Sequence, residues 1–337
     1  MIGSSFSMAS LRPLCVFCGS AATCSETYTT RRTRVSTTYH RCAVCGGVFL
    51  AESCRVSATQ EKARYDEHNN ALDDPRNRTY FEDFLGSIVD ALNVLGVTPE
   101  QRASWNVLDY GSGPSPSLVQ LMREQRIFAS AVGWDLYYSQ SVPPAYADMV
   151  LSSLECSADG TPKRLYDLVT AQEVVEHFVD PLSNWRRIAS IVKSGGFVAI
   201  GTYLLPEDDG HVFGSFNEMP TIVHAGAEPP SDELTDRNPE KRPRPSSLSP
   251  TTKRARVASS SISTDEVVHE EAQEEPVEKQ EMKDGACMPR LFANWAYRRD
   301  PTHVSFYTLG ALKYVADQVG LDYVCSPGLH KFLFRRR

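Results

Sequence analysis

Two Cys-x-x-Cys pairs, Cys15/Cys18 and Cys42/Cys45, stand 23 residues apart near the N-terminus. Each pair is followed by a glycine, Gly19 and Gly46, that suits a tight turn, so the two knuckles can aim four thiolates at one ion. Tetrahedral Zn2+ held by four sulfurs keeps no open position, and the metal predicted here is therefore structural. Thr27–Thr30 and Val35–His40 supply the hairpin of a small zinc ribbon over residues 11–56. Cys24, Cys54 and His40 are spare ligands for the same ion. A redox role for the pairs lacks the surrounding pattern that such chemistry uses.

A second constellation is Asp109-Tyr110-Gly111-Ser112-Gly113-Pro114, placed where a strand pattern gives way to a helix pattern. Glycine belongs where the backbone turns sharply and meets a ligand with no Cβ in the way, and the helix start beyond offers free N–H groups. Asp135 ends the next strand 22 residues after Gly113, close to the roughly 20-residue separation at which dinucleotide-binding folds place an acid on ribose hydroxyls. The pattern predicts a nucleoside-type cofactor. The dinucleotide fingerprint wants a third glycine where Pro116 stands, which disfavours a nicotinamide-dependent oxidoreductase.

The elements that must position these residues follow from periodicity. Thr79 to Leu95 sets Tyr80, Phe81, Phe84, Leu85, Ile88, Val89, Leu92 and Leu95 on one helical face. Strands are predicted at 105–110, 129–135, 166–171 and 197–202, with helices from Leu118 to Gln125 and from Asp180-Pro181 onward. In the latter, the acid is the N-cap and the proline the first helical residue, and Gly195-Gly196 is the expected stop. Thr308 caps a further helix to Gln318, with Gly320 as its stop, and strands 321–325 and 330–334 are joined through Pro327-Gly328, a link short enough to force antiparallel pairing. Strands alternating with helices give an α/β fold with a mostly parallel, doubly wound sheet ending in an antiparallel hairpin.

The segments L-D-Y-G-S-G-P, Y-D-L-V-T-A-Q-E-V-V-E-H-F and G-G-F-V-A-I-G-T resemble successive motifs of the class I, Rossmann-like S-adenosylmethionine-dependent methyltransferases, over 57–205 and 289–337. The resemblance implies a seven-stranded sheet and S-adenosyl-L-methionine as cofactor. It places Asp109, Gly111, Ser112 and Gly113 at the methionine end, Asp135 on the ribose hydroxyls, and Gln172, Glu173 and the following residues to His177 along the pocket. The usual motif often carries a further glycine that this chain lacks. The paired C-x-x-C-G knuckles, the linker Arg64-Tyr65-Asp66-Glu67-His68-Asn69 and the segment Asp300-Pro301-Thr302-His303-Val304-Ser305-Phe306-Tyr307 are similar to a group of such enzymes with an N-terminal zinc ribbon.

Methyl transfer is an in-line displacement at a sulfonium, and an acceptor hydroxyl needs a base for its proton. His303 is the leading candidate base, followed by His68 and His177, the last also shaping the pocket. Tyr65, His68 and Asn69 fall at i, i+3 and i+4 on one helical face. Trp295, Tyr297 and Tyr307 are expected to pack. Gln172-Glu173-Val174-Val175 stands where amino-methylating enzymes of nucleic acid commonly carry N/D-P-P-Y/F, which leans toward a small-molecule acceptor. A competing reading makes the ribbon's Arg31, Arg32, Arg34 and Arg41, beside Tyr28, Tyr39 and His40, a nucleic-acid or protein contact on an inactive scaffold.

Composition agrees with an ordinary globular chain, at 41% hydrophobic and 9% aromatic residues of 337. The net charge of −7 matches the surplus within 265–284, which holds nine acids and two lysines, so no global basic field exists. Residues 206–288, Pro/Ser/Glu-rich, read as a disordered insertion in a loop. Within it Lys241-Arg242 and Lys253-Arg254-Ala255-Arg256 have the spacing of a bipartite nuclear import sequence, an importin contact through 241–256. Nine cysteines, four of them in pairs, fit a reducing compartment better than a disulfide framework, and no run of 18 apolar residues occurs. The expectation is a soluble intracellular protein, cytoplasmic and in part nuclear.

Overall fold

The computed structural model describes residues 13–29, 34–67, 70–139, 141–157, 160, 162–206 and 287–337. Residues 207–286 of the expected disordered insertion, the import pattern at 241–256, and His68, Asn69, Arg31 and Arg32 lie outside these, whereas Cys287 and Met288 at its expected end are described. Among the described residues no helix is long and apolar enough to cross a membrane.

The N-terminal part forms strands β1 (Thr23–Thr29), β2 (Ser36–Cys42) and β3 (Val48–Leu50), followed by helices α1 (Ala58–Asp66), α2 (Pro75–Val94) and the single turn α3 (Pro99–Arg102). Then come β4 (Asn106–Tyr110), α4 (Ser117–Gln125), β5 (Ser130–Trp134), β6 (Tyr166–Gln172), α5 (Pro181–Ser190) and β7 (Val192–Gly201). The C-terminal part adds β8 (Ser305–Phe306), α6 (Leu309–Gln318), β9 (Leu321–Gly328) and β10 (Lys331–Arg336).

The larger sheet runs β5-β4-β6-β7-β10-β9. Its first four strands are parallel, while β10 is antiparallel to both β7 and β9. Alternation along each strand feeds two cores. Leu108, Val169, Val198 and Ile200 pack with Trp185 and Ile188 of α5 and Leu312 and Val315 of α6. Val107, Leu168, Phe197 and Ala199 pack with Phe84 and Ile88 of α2 and Leu118 and Met122 of α4. Helices therefore cover both faces, as the sequence pattern requires. Six strands rather than the expected seven occur among the described residues. Beyond β5 the sheet continues only as one parallel bridge, Gly133 with Val150.

Local signals explain most ends. Asp74 caps α2 by accepting from the Arg76 N–H, with Pro75 first in the helix, and Asp180 caps α5 by accepting from Ser183 N–H. Two expectations need correcting. Tyr80 and Leu95 belong to the exposed side of α2 rather than its buried face. Gly195-Gly196 does not stop α5: the helix ends at Ser190, and β7 already pairs at Val192 with Tyr166 before the glycines. The pairing resumes at Phe197 with Leu168, so the glycines lie in an excursion within the strand. Gly195 takes φ +75°, and a Cβ on Gly196 would meet the Asp167 carbonyl at 2.9 Å. The hairpin of β9 and β10 also turns later than expected, since Gly328 pairs with Lys331 and His330 holds φ +61°.

A second, antiparallel sheet runs β1-β2-β3-β8. Its last strand belongs to the segment after the insertion, so the hairpin near the N-terminus and the Asp300–Tyr307 segment form one sheet. Tyr39, Val48, Leu50, Met288, Phe292 and Phe306 share its core. Cys24, a spare metal ligand by sequence, is instead disulfide-bonded to Cys287, an exception to the reduced state expected from the cysteine pattern.

Candidate active site

The turn after β4 is built as its glycines predict. Gly111 and Gly113 have φ +82° and +68°, a region other residues rarely adopt. A Cβ on Gly111 would come within 2.6 Å of the Val174 side chain, whereas among the described residues, chain neighbours aside, nothing lies within 4 Å of one on Gly113. The turn is thus packed on its first glycine and open on its second. Asp135, at the end of β5, faces it: one carboxylate oxygen accepts from Gly113 N–H at 3.0 Å, the other from Tyr137 N–H at 2.8 Å and Tyr138 N–H at 3.2 Å.

Asp109 stands just before the turn, near the end of β4. It is buried between β4 and β6, where it accepts from the Thr170 hydroxyl at 2.8 Å. Burial pushes its carboxyl up to about 7, against the Thr170 bond. Ser112 is buried, with its hydroxyl against Gly133, where a Cβ would sit 2.5 Å away. Gln172 lies across Gly201 and donates to the Tyr80 hydroxyl at 2.5 Å. Glu173 holds the strained φ of +53°, its N–H bonded to Gly201 O at 2.8 Å. Burial first and the Glu176 charge second push its carboxyl up to about 8.

Beyond Glu173, the turn Val175–His177 brings Glu176 and His177 beside His303. The His177 and His303 rings lie edge to face with centroids 4.8 Å apart. Each imidazole is fixed through Nδ1 to a backbone carbonyl: His177 to Thr302 at 2.9 Å, His303 to Tyr297 at 2.7 Å. With Nδ1–H donating, the lone pair of each ring resides on Nε2. Glu176 is fully buried; its Oε2 accepts from the Thr202 hydroxyl at 3.0 Å, and its Oε1 lies 3.8 Å from His177 Nε2. Tyr297 joins the group through Thr202, hydroxyl to hydroxyl, at 3.2 Å. Trp295 packs on the Tyr297 and Phe306 rings, and Tyr307 is wholly buried, donating to Val175 O at 3.1 Å.

Helix α1 closes the other side. Its N-cap Ser57 and Gln60 form a reciprocal capping box. Glu61 accepts from the Tyr65 and Tyr137 hydroxyls at 2.9 and 2.8 Å, and Asp66 accepts from Tyr138 at 2.7 Å, which fastens the helix to the loop after Asp135. The Tyr65 ring meets His177 edge to face at 5.2 Å. Arg64 reaches Asp300 at 3.1 Å. Burial raises the Asp300 carboxyl, but the Thr302 hydroxyl and N–H, with His303 and Arg64, outweigh it and bring it down to about 2. In the sequence Glu176, Arg64 and Asp300 stand out only as members of longer segments, and Thr202 only as the end of a strand. Glu176 had one available sign, a lone acid inside the apolar run Val174-Val175-Glu176-His177-Phe178.

The four paired cysteines converge. Cys15 and Cys45 sulfurs are 3.6 Å apart, Cys18 and Cys42 sulfurs 3.5 Å, and all four fall within 4.8 Å of one another. Zinc–sulfur bonds of about 2.3 Å in a tetrahedron separate the sulfurs by about 3.8 Å, so the donor set fits that ion. Cys54 and His40 stand outside this group.

A family profile described as a methyltransferase domain matches residues 77–326, and the chain belongs to that family. Among solved structures it is similar to an O-methyltransferase family protein from Burkholderia thailandensis, at 16% identity and TM-score 0.39, covering 85% of this chain and 65% of that one. It is also similar to the YcgJ protein from Bacillus subtilis, at 22% identity and TM-score 0.27, covering 36% and 53%. A third is the S-adenosylmethionine-bound amino pentose methyltransferase CalS10 from Micromonospora echinaspora, at 11% identity and TM-score 0.26, covering 45% and 58%. The chain thus spans between about half and two thirds of the length of these structures. No curated protein matches it.

Proposed function

We propose that the chain transfers a methyl group from S-adenosylmethionine to a small-molecule acceptor. In this reading the cofactor lies along the open side of the Gly111–Gly113 turn, with its ribose on Asp135 and its sulfonium directed toward the Glu176, His177 and His303 group. The observation carrying it is the Asp135 carboxylate bonded to Gly113 N–H, an acid held beside a glycine turn at the carboxyl ends of parallel strands. Membership of the methyltransferase-domain family supports the same chemistry.

The acceptor's nucleophilic atom would attack the methyl carbon as the S–CH3 bond breaks, releasing neutral S-adenosylhomocysteine. Its proton would go to Nε2 of His303, oriented by the Tyr297 carbonyl, or of His177, oriented by that of Thr302. Asp109 and Ser112, buried behind the turn, support its shape and do not touch the ligand in this reading. The cysteine cluster would hold Zn2+ as a structural ion.

Isothermal titration of the full chain with S-adenosylmethionine tests the proposal. Saturable binding is expected, weakened about tenfold or more in Asp135→Ala, for loss of a carboxylate with two sugar hydroxyl bonds is worth at least ~1.4 kcal/mol. Absence of binding by the folded wild type would sink it.

A further inference from the structure

The geometry points to a second metal site, in which Glu176, His177 and His303 hold a divalent transition-metal ion by two imidazoles and one carboxylate. It rests on the proposed function only in lying at the acceptor end of that site; the ion itself needs no S-adenosylmethionine to bind.

One ring nitrogen from each histidine and a carboxylate oxygen of Glu176 lie within 4.8 Å of one another. Donors at about 2.1 Å from a shared ion sit about 3.0–3.4 Å apart, so modest side-chain rotation closes the set. The Glu176–His177 pair is already at 3.8 Å.

Three further features favour an ion over a simple hydrogen-bond network. Glu176 Oε1 is fully buried and makes no hydrogen bond of normal geometry, although the Tyr297 hydroxyl interacts with the same carboxyl, so an acceptor aimed into the group is left under-satisfied. Both imidazoles are fixed by backbone carbonyls at Nδ1, the outer bond by which metal-ligating histidines are usually oriented. Half-buried Glu173 lies near the fully buried Glu176, and among the described residues neither is ion-paired with a lysine or arginine. A dication supplies the missing positive charge.

Two nitrogens and one oxygen suit zinc, iron(II), cobalt or manganese, in contrast to the all-sulfur cluster. Three protein ligands leave positions open toward the acceptor, so the ligand class that fits is an oxygen donor such as a hydroxyl or carboxylate. With an ion bound, the imidazole lone pairs would lie on the metal, and the acidified acceptor oxygen would lose its proton to solvent instead of to a histidine.

The test uses the full chain with its cysteine cluster loaded with zinc, titrated with Co2+ under anaerobic conditions. One further equivalent is expected, with d–d absorption and without thiolate-to-cobalt charge transfer. His177→Ala, His303→Ala and the near-isosteric Glu176→Gln should each weaken that equivalent by about tenfold or more while zinc content stays at one per chain, which certifies the fold. Binding of no second equivalent by the wild type overturns the proposal, as does charge transfer showing cobalt on the cysteines. A second equivalent that survives His177→Ala/His303→Ala overturns it too. S-adenosylmethionine titration of the same samples reports separately on the cofactor reading.

Discussion

Asp109, the acid before the glycine turn, gives the site a testable dependence on pH. It was expected at the cofactor, and in the structure it is buried in the sheet, bonded to Thr170. Burial holds its carboxyl near 7, above the ordinary 3.8, so the folded state binds a proton that the unfolded chain has already lost. Its contribution is therefore fully present below about pH 4 and is lost as pH rises to about 7, a decline of roughly 4 kcal/mol. Asp109→Asn keeps an acceptor for Thr170 and removes the titration. Urea unfolding between about pH 5 and 8 should show a flatter pH dependence for the variant, with higher stability near neutrality. Parallel curves would show that Asp109 is ionised throughout. The position of Asp135 beside the glycine turn was legible because it ends the strand after that turn. Glu176 was not, because its importance comes from a turn that brings it beside His303 across more than a hundred residues of sequence.

Elements were legible where one periodicity dominated. Helices α2, α4 and α6 and strands β4, β5 and β6 lie within a few residues of their expected spans, because apolar spacing and caps agree there. The misreading at Gly195-Gly196 arose because a double glycine after an amphipathic run is an ordinary helix stop, whereas here strand pairing captures Val192 first. The two uses of glycine give opposite predictions. Gly196→Ala sets a Cβ 2.9 Å from the backbone oxygens of Asp167 and Lys193, and should destabilise by about 1–3 kcal/mol as the strand shifts. Gly86→Ala, in the exposed middle of α2 with nothing within 4 Å of the new methyl, should stabilise by about 0.5–1 kcal/mol. Thermal or urea unfolding of both variants checks the pair. A neutral Gly196→Ala would mean that the excursion in β7 adapts freely.

At the scale of the molecule, the cysteine-bearing hairpin and the segment before α6 share one antiparallel sheet, which also packs on the start of α6. The knuckle carrying Cys15 and Cys18 presents Phe17, whose ring meets Tyr307 edge to face at 5.0 Å and lies 2.5 Å from where a Cβ on Gly47 would be. The other knuckle gives the Cys45 carbonyl to the Thr308 hydroxyl at 3.1 Å, and that same hydroxyl caps α6 by accepting from Ala311 N–H at 3.0 Å. Strand β3 pairs with β8, directly after His303. A metal in the cysteine cluster would therefore brace the segment that carries His303 and the start of α6. Removing it should loosen these parts selectively. Under a strong chelator, or in Cys42→Ser/Cys45→Ser, amide hydrogen exchange is expected to quicken over 304–312 and in β3, while β4 and β6 keep their protection. Because Asp135 and the glycine turn stand on the other sheet, S-adenosylmethionine binding should weaken less than methyl transfer does. Unchanged exchange at 304–312 after metal loss would show that the apolar contacts of Phe17, Tyr307 and Phe306 hold the sheet without the ion, and would reduce the cysteine cluster to a bystander of the site.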